Sequence, residues 1–212
     1  MMDIYHQQYK ERMNELNKTI EYYNTNAKEF VSRTILLDLG LFRKMFTDRL
    51  AKKSVVLDFG CGSGRDTKYF LSQGYQVDAI DGSVEQCKLA SEYTGIEVKN
   101  VLFNEFSCVK KYDGIWACSS ILHLPLTDLS DVVSKMVLAL KKNGIIFTNF
   151  KYGTFIGERN GRHFTDMTEE TFSEFIKQIE DVTTEEVLVS LDKRPGKTGE
   201  RWLNLILRKT ES

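Results

Sequence analysis

The chain has 212 residues, 42% hydrophobic and 28% charged, with two prolines; this suits a globular α/β domain with a small appendage and excludes a disordered or fibrous chain. Its 29 basic and 30 acidic residues leave a formal charge of −1 and are mixed along the whole length, which disfavours nucleic-acid or membrane binding driven by bulk charge. The cysteines (Cys61, Cys87, Cys108, Cys118) form no CxxC pair and the histidines (His6, His123, His163) are scattered, so neither a metal site nor a disulfide framework is expected.

The first residues are polar and mixed in charge where a signal peptide would be apolar, and no run approaches the roughly 18 apolar residues of a membrane span. A cytoplasmic chain with reduced thiols is the expectation. Residues 4–20 and about 26–50 carry apolar residues at helical spacing, with Gly40 as a break. The spacing predicts a helical cap over 1–53, joined to a main domain over 54–212 in one compact unit. From Ser54 the pattern alternates. A β-run at 54–59 leads through a glycine turn to a helix ended by Gly74. A β-run at 75–80 and a helix ended by Gly95 follow, then β-runs at 96–103 and 112–120, a helix from about Asp128 to Leu140, and a β-run at 144–150. Such alternation signals parallel βαβ units in a doubly wound sheet. The stretch 151–166 is polar, glycine-bearing and without periodicity, which reads as a long functional loop. Next comes a helix that Thr168 and Thr171 can cap. Two β-runs, 182–191 and 201–209, close the chain as an antiparallel hairpin at the sheet edge.

The chemistry begins at the turn. Gly60, Gly62 and Gly64 alternate between the first strand and its helix, where glycine lets backbone approach a ligand closely. A dinucleotide fingerprint would want glycine where Arg65 stands, and the lysine and hydroxyl of a P-loop are absent. Asp81 ends the second strand about 20 residues downstream of Gly60, the position from which a carboxylate accepts hydrogen bonds from a ribose diol. The ligand is therefore nucleoside-like.

The turn at 57–66, the acidic end of strand two, the stretch 112–124 and the terminal hairpin together resemble the class I S-adenosylmethionine-dependent methyltransferases, of the small-molecule type, over about residues 22–209. The resemblance implies a Rossmann-like, seven-stranded sheet in the order 3-2-1-4-5-7-6 with strand seven antiparallel. It also implies S-adenosyl-L-methionine lying across the carboxyl ends of the first two strands. Carried over, Gly60, Cys61 and Gly62 pass under the methionine and ribose. Asp81, with Gly82 beside it, holds the ribose hydroxyls. Phe103 and Asn104 border the adenine, although the aspartate many members carry near this point is missing. Cys118 faces the methionine moiety. Residues 22–34 resemble the family's lid helix, which sets Tyr23 near the sulfonium and Arg33 on the cofactor carboxylate. Ordinary packing of the tyrosine and solvation of the arginine remain the alternative.

Methyl transfer from a sulfonium is an in-line displacement, so a base is optional. His123, just past strand four, is the candidate base or orienter because imidazole titrates near neutrality; a helix-end histidine bonding a carbonyl is the plainer reading. For the acceptor, Lys151, Tyr152, Arg159, Arg162 and His163 in the polar stretch, joined by Arg201, form a candidate pocket for a carboxylate or phosphate; solvated surface charge is the alternative. The expected function is methylation of a small, anionic acceptor. RNA or protein methylation is an alternative, although no dense basic stripe is present, and the D/NPPY motif of nitrogen methylation is replaced by Cys118, Ser119, Ser120 and Ile121. A noncatalytic cofactor-binding sensor or partner subunit is another.

Overall fold

A computed structural model of the chain describes residues 17–192, 194 and 196–210. Residues 4–16 of the expected first helix, and His6, lie outside the described residues. Residues 17–25 are helical and lead into α1 (Ala27–Thr34), followed by α2 (Gly40–Thr47). The break falls at 35–39, so Gly40 opens the second helix rather than parting the two.

The alternation then unfolds as read: β1 (Val55–Phe59), α3 (Arg65–Ser72), β2 (Gln76–Asp81), α4 (Val84–Thr94), β3 (Val98–Asn100), β4 (Tyr112–Ala117), α5 (Leu126–Ala139) and β5 (Leu140–Lys151). The polar stretch after β5 is not a loop. It forms a separate two-stranded antiparallel sheet, β6 (Ile156–Arg159) and β7 (Arg162–Thr165). Asn160 (φ 53) and Gly161 (φ 76) both adopt left-handed backbone at its turn, as a two-residue hairpin connection requires. Then follow α6 (Glu169–Ile176), opened by a Thr168 and Thr171 capping box, β8 (Val182–Leu191) and β9 (Arg201–Lys209).

The main sheet has seven strands in the order β3-β2-β1-β4-β5-β9-β8, the expected topology once the terminal pair is counted as strands six and seven. Only β9 runs antiparallel to both neighbours, β5 and β8. Period-two alternation divides the core between the faces: Leu57, Phe59, Ile115, Ile146 and Leu205 pack on the α5 and α6 side. Val56, Trp116, Ile145, Phe147 and Ile206 pack against Met45 and Phe46 of α2 and Phe70 of α3. Trp116 stacks on Phe147 with ring centroids 4.1 Å apart. The helical cap is thus welded to the sheet through α2, while α1 borders the carboxyl edge. Among the described residues no helix is long and apolar enough to cross a membrane.

Candidate active site

The carboxyl ends of β1, β2 and β4 open into a cleft of about 770 Å³ that runs from the glycine turn to the β6–β7 hairpin. Its floor is the turn itself. The N–H groups of Gly60 and Cys61 both donate to the carbonyl of Ile80, at 2.9 and 3.0 Å, which stitches β1 to β2. Gly60 sits at φ +83, and a Cβ there would lie 2.5 Å from Ser120 Cβ and 2.9 Å from Phe103 Cζ. Only glycine fits. Asp81 uses both carboxylate oxygens on backbone: Gly62 N–H donates to one at 2.8 Å and Ser83 N–H to the other at 2.9 Å. Burial pushes its carboxyl above the usual range while these amides pull it down, and each oxygen retains a lone pair for a ligand hydroxyl.

Beneath the turn lies a buried ionic cluster that the sequence reading missed. Asp66, at the start of α3, accepts from Arg43 of α2 at 2.6 Å, from Arg65 at 2.6 Å and from Trp116 Nε1 at 3.1 Å. Burial alone would raise its carboxyl; the two guanidiniums hold it below the ordinary value instead. Neighbouring Asp58 accepts from Thr67 Oγ1 at 2.6 Å, and burial, reinforced by the charge of Asp66, lifts it to about 7. Arg65 lines the cleft and also donates to the Thr34 carbonyl at the end of α1, at 3.2 Å.

This corrects the expectation for Arg33, whose side chain is 72% exposed, pairs with Glu29 and lies outside the cleft lining. The helical turn of α1 directs it to solvent, and Arg65 is the cation next to the cleft there. Phe103 lines the cleft and stacks on Phe59 at 4.6 Å. Asn104 is exposed and outside the lining, with only its carbonyl engaged, by Lys135 Nζ. It sits in the middle of the short turn Phe103–Glu105, and of the two expected residues only Phe103 lines the cleft, with Leu102 and Gly82. Cys61, buried, and Cys118, half-buried, line the cleft; desolvation, then the charge of Asp66, pushes Cys118 up to about 12, which keeps it protonated.

At the end of β4 an amide relay crosses the sheet. Ser119, at φ 55, donates its N–H to Asn149 Oδ1 at 2.6 Å. Asn149 Nδ2 donates to Asn204 Oδ1 at 3.4 Å, and Asn204 donates to the Leu188 carbonyl at 2.9 Å. Asparagines inside otherwise apolar strands were the available signal, since buried amides occur where they are satisfied. Ser120 Oγ, also on the cleft wall, is buried with no partner among the described residues.

The far end of the cleft is built around His123. Its Nδ1 lies 2.7 Å from the His163 carbonyl, which can only accept. Nδ1 therefore carries the proton, Nε2 is left as an acceptor, and the Tyr23 hydroxyl donates to it at 2.8 Å. Burial, with the cation of Arg162 adding to it, drops the imidazole to about 3, so this histidine stays neutral at ordinary pH. A base needs a pKa nearer the operating pH, and the geometry makes His123 an orienter of Tyr23. Phe30 and Phe164 wedge the pair edge-on, with centroids 5.2 Å from Tyr23 and 4.7 Å from His123.

The expected acceptor residues divide. Lys151, Tyr152, Arg159, Arg162 and Arg201 all line the cleft. His163 does not: its side chain is buried behind β7, where Thr165 Oγ1 lies 3.3 Å from Nε2, and its contribution is through backbone, accepting from His123 and donating to Thr19 Oγ1. Of the cations, Lys151 is engaged by Asp192 and Glu200 over the Trp202 ring, and Arg159 by Asp166.

Fold and site together define a doubly wound sheet whose carboxyl edge carries one continuous cleft, with a glycine turn and an acidic strand end at one side and the Tyr23–His123 pair at the other. A methyltransferase-domain family model matches residues 56–144. An uncharacterised methyltransferase of Staphylococcus carnosus is 26% identical over 134 residues, 60% of this chain and 65% of that one. The N-terminal Xaa-Pro-Lys N-methyltransferase 1 of Xenopus tropicalis is 36% identical over 99 residues, 42% of this chain and 44% of that one. The matches thus span less than two thirds of either relative. In fold, the chain is similar to a Burkholderia thailandensis 1,6-didemethyltoxoflavin-N1-methyltransferase solved with its acceptor and S-adenosylhomocysteine (TM-score 0.69, 24% identity, 90% of each chain). Over residues 56–144 the chain thus matches the methyltransferase domain, and its sheet order and fold are similar to those of S-adenosylmethionine-dependent methyltransferases.

Proposed function

We propose that the chain binds S-adenosylmethionine and methylates a small acceptor bearing an anionic group. The observation that carries this reading is the continuity of one cleft, from the Gly60–Gly62 and Asp81 cradle to the Tyr23, His123 and Arg162 end. The residues fit the cofactor: a Cβ at Gly60 would fill the cradle, Asp81 offers lone pairs at the end of β2, and the orphan Ser120 hydroxyl awaits a partner. When bound, S-adenosylmethionine supplies an electrophilic methyl group already activated by its sulfonium.

The protein's own tasks are then binding and alignment. Asp81 accepts the ribose hydroxyls, and Gly60, Cys61 and Gly62 support the ligand from below. Phe103 borders the base. Tyr23, its proton committed to His123 and one lone pair engaged by Arg162, presents its remaining phenol lone pair to a nucleophile's N–H or O–H. The free thiols of Cys61, Cys87, Cys108 and Cys118 accord with a reducing, cytoplasmic setting.

Isothermal titration with S-adenosylmethionine and S-adenosylhomocysteine, with NAD as control, tests the cofactor half. Micromolar binding of the first two and none of NAD is expected. Asp81→Ala should weaken binding by about 2 kcal/mol, the worth of a charged hydrogen-bond acceptor; unchanged affinity would mean the ribose lies elsewhere. A methyl-transfer screen over small acids, thiols and amines beside RNA and peptides tests the acceptor half. Product from RNA or peptides alone overturns the small-molecule reading, and cofactor binding without any product favours a sensor.

A further inference from the structure

The cleft holds more positive side chains than it holds free positive charge. Lys151 is answered by Asp192 at 3.0 Å and by Glu200, Arg194 by Asp192 at 2.6 Å, Lys197 by Glu200 at 2.8 Å, Arg159 by Asp166 and Arg65 by Asp66 at 2.6 Å. Arg162 is different. Among the ion pairs of the described residues it has no carboxylate, and its Nε–H is buried without an acceptor. Its guanidinium lies 4.3 Å from the Tyr22 ring centre and 5.2 Å from that of Phe164, and Nη1 donates to Tyr23 Oη at 3.4 Å. An arginine walled by aromatic rings with an unsatisfied buried donor is costly to maintain in the absence of an anion.

Resting on the methyltransferase reading above, we propose that Arg162 anchors a single planar carboxylate on the acceptor. The class follows from charge and shape. One guanidinium carries one positive charge, and its fork matches the two oxygens of a carboxylate. His123 is held neutral by its bonds to the His163 carbonyl and Tyr23 and adds no second cation to balance a dianion. The aromatic walls of Tyr22 and Phe164 favour a flat group. Arg201, stacked 4.0 Å over Tyr152 and exposed, stands apart at the rim. Bound to Arg162, a carboxylate also brings the rest of the acceptor beside the Tyr23 hydroxyl, where the nucleophile is wanted.

The test is ligand-observed NMR titration with benzoate, benzamide and phenyl phosphate, which share a ring and differ in charge and shape, on the protein with and without saturating S-adenosylhomocysteine. Benzoate is expected to bind at least tenfold more tightly than the other two. Arg162→Gln should erase that preference, and Arg162→Lys, which keeps the charge but not the fork, should retain only part of it. Thermal melting and S-adenosylhomocysteine affinity verify that each variant is folded. Equal binding of benzamide, stronger binding of phenyl phosphate, an unchanged preference in Arg162→Gln, or no benzoate binding to the wild type would each overturn the assignment. Failure of the cofactor reading is distinct: it appears as loss of S-adenosylhomocysteine binding in the wild type, and the benzoate comparison on the free protein still stands or falls by itself.

Discussion

His123 makes a quantitative demand on stability. Its imidazole falls from the ordinary 6.5 to about 3 in the folded chain, chiefly through burial. Below pH 6.5 the unfolded chain takes up a proton that the folded chain refuses until about 3, so stability drains away as pH falls across that window. At one unit of pKa per 1.36 kcal/mol, the 1.5 units between 6.5 and pH 5 amount to about 2 kcal/mol, and the whole shift to about 5 kcal/mol. His123→Gln keeps an acceptor for Tyr23 and a donor for the His163 carbonyl but cannot ionise. Urea unfolding of both proteins from pH 8 to pH 5 isolates the effect, because every other titrating group is common to both. The wild-type advantage should shrink by about 2 kcal/mol over that range. Parallel pH profiles would show that the imidazole titrates normally in the fold, and the argument that it orients Tyr23 rather than acting as a base would fail with them.

Two further substitutions probe the cluster under the glycine turn. Asp66→Asn should cost about 3 to 5 kcal/mol in urea unfolding, since it strands two buried guanidiniums; a loss below about 1 kcal/mol would mean that water already shares their charge. Asp58 titrates in the opposite sense to His123: with its folded pKa raised to about 7, stability declines as pH rises from the unfolded value toward 7. Asp58→Asn should therefore be near neutral at pH 4 and stabilising by up to roughly 4 kcal/mol at pH 8, and equal effects at the two pH values would refute the shift.

The parts legible in the sequence were those in which local pattern and tertiary role coincide. Gly60 and Asp81 are demanded by backbone geometry at a strand end, and the buried runs of β1, β4, β5 and β9 carry their strand character in composition. The β6–β7 hairpin was missed although Asn160 and Gly161 announce it. Its flanks are four residues each and mix apolar with charged side chains, so no period stood out. Charge pairing was illegible for a different reason. Lys151 meets Asp192 and Glu200 across 41 and 49 residues of chain, and nothing near Lys151 in sequence foretells that its charge is already spent. Arg33 points away from the cleft because the direction of a surface helix side chain depends on how the helix docks, which periodicity does not encode.

The β6–β7 hairpin closes its backbone ladder on itself and shares no strand pairing with the seven-stranded sheet. What fastens it are side-chain bonds, such as Thr165 Oγ1 to the Leu124 carbonyl at 2.7 Å and the His123 bond to the His163 carbonyl, the burial of Phe164 in the core, and backbone bonds just past its base, where Met167 N–H donates to the Lys151 carbonyl at 2.9 Å. Arg159 and Arg162, at its tip, can therefore be exchanged without unpicking any strand that carries the glycine turn. On the proposed reading, the cofactor end of the cleft is fixed by the sheet's own hydrogen bonding while part of the acceptor end rides on a ten-residue hairpin, so that exchanging the exposed residues of that hairpin can alter substrate preference without disturbing the glycine turn.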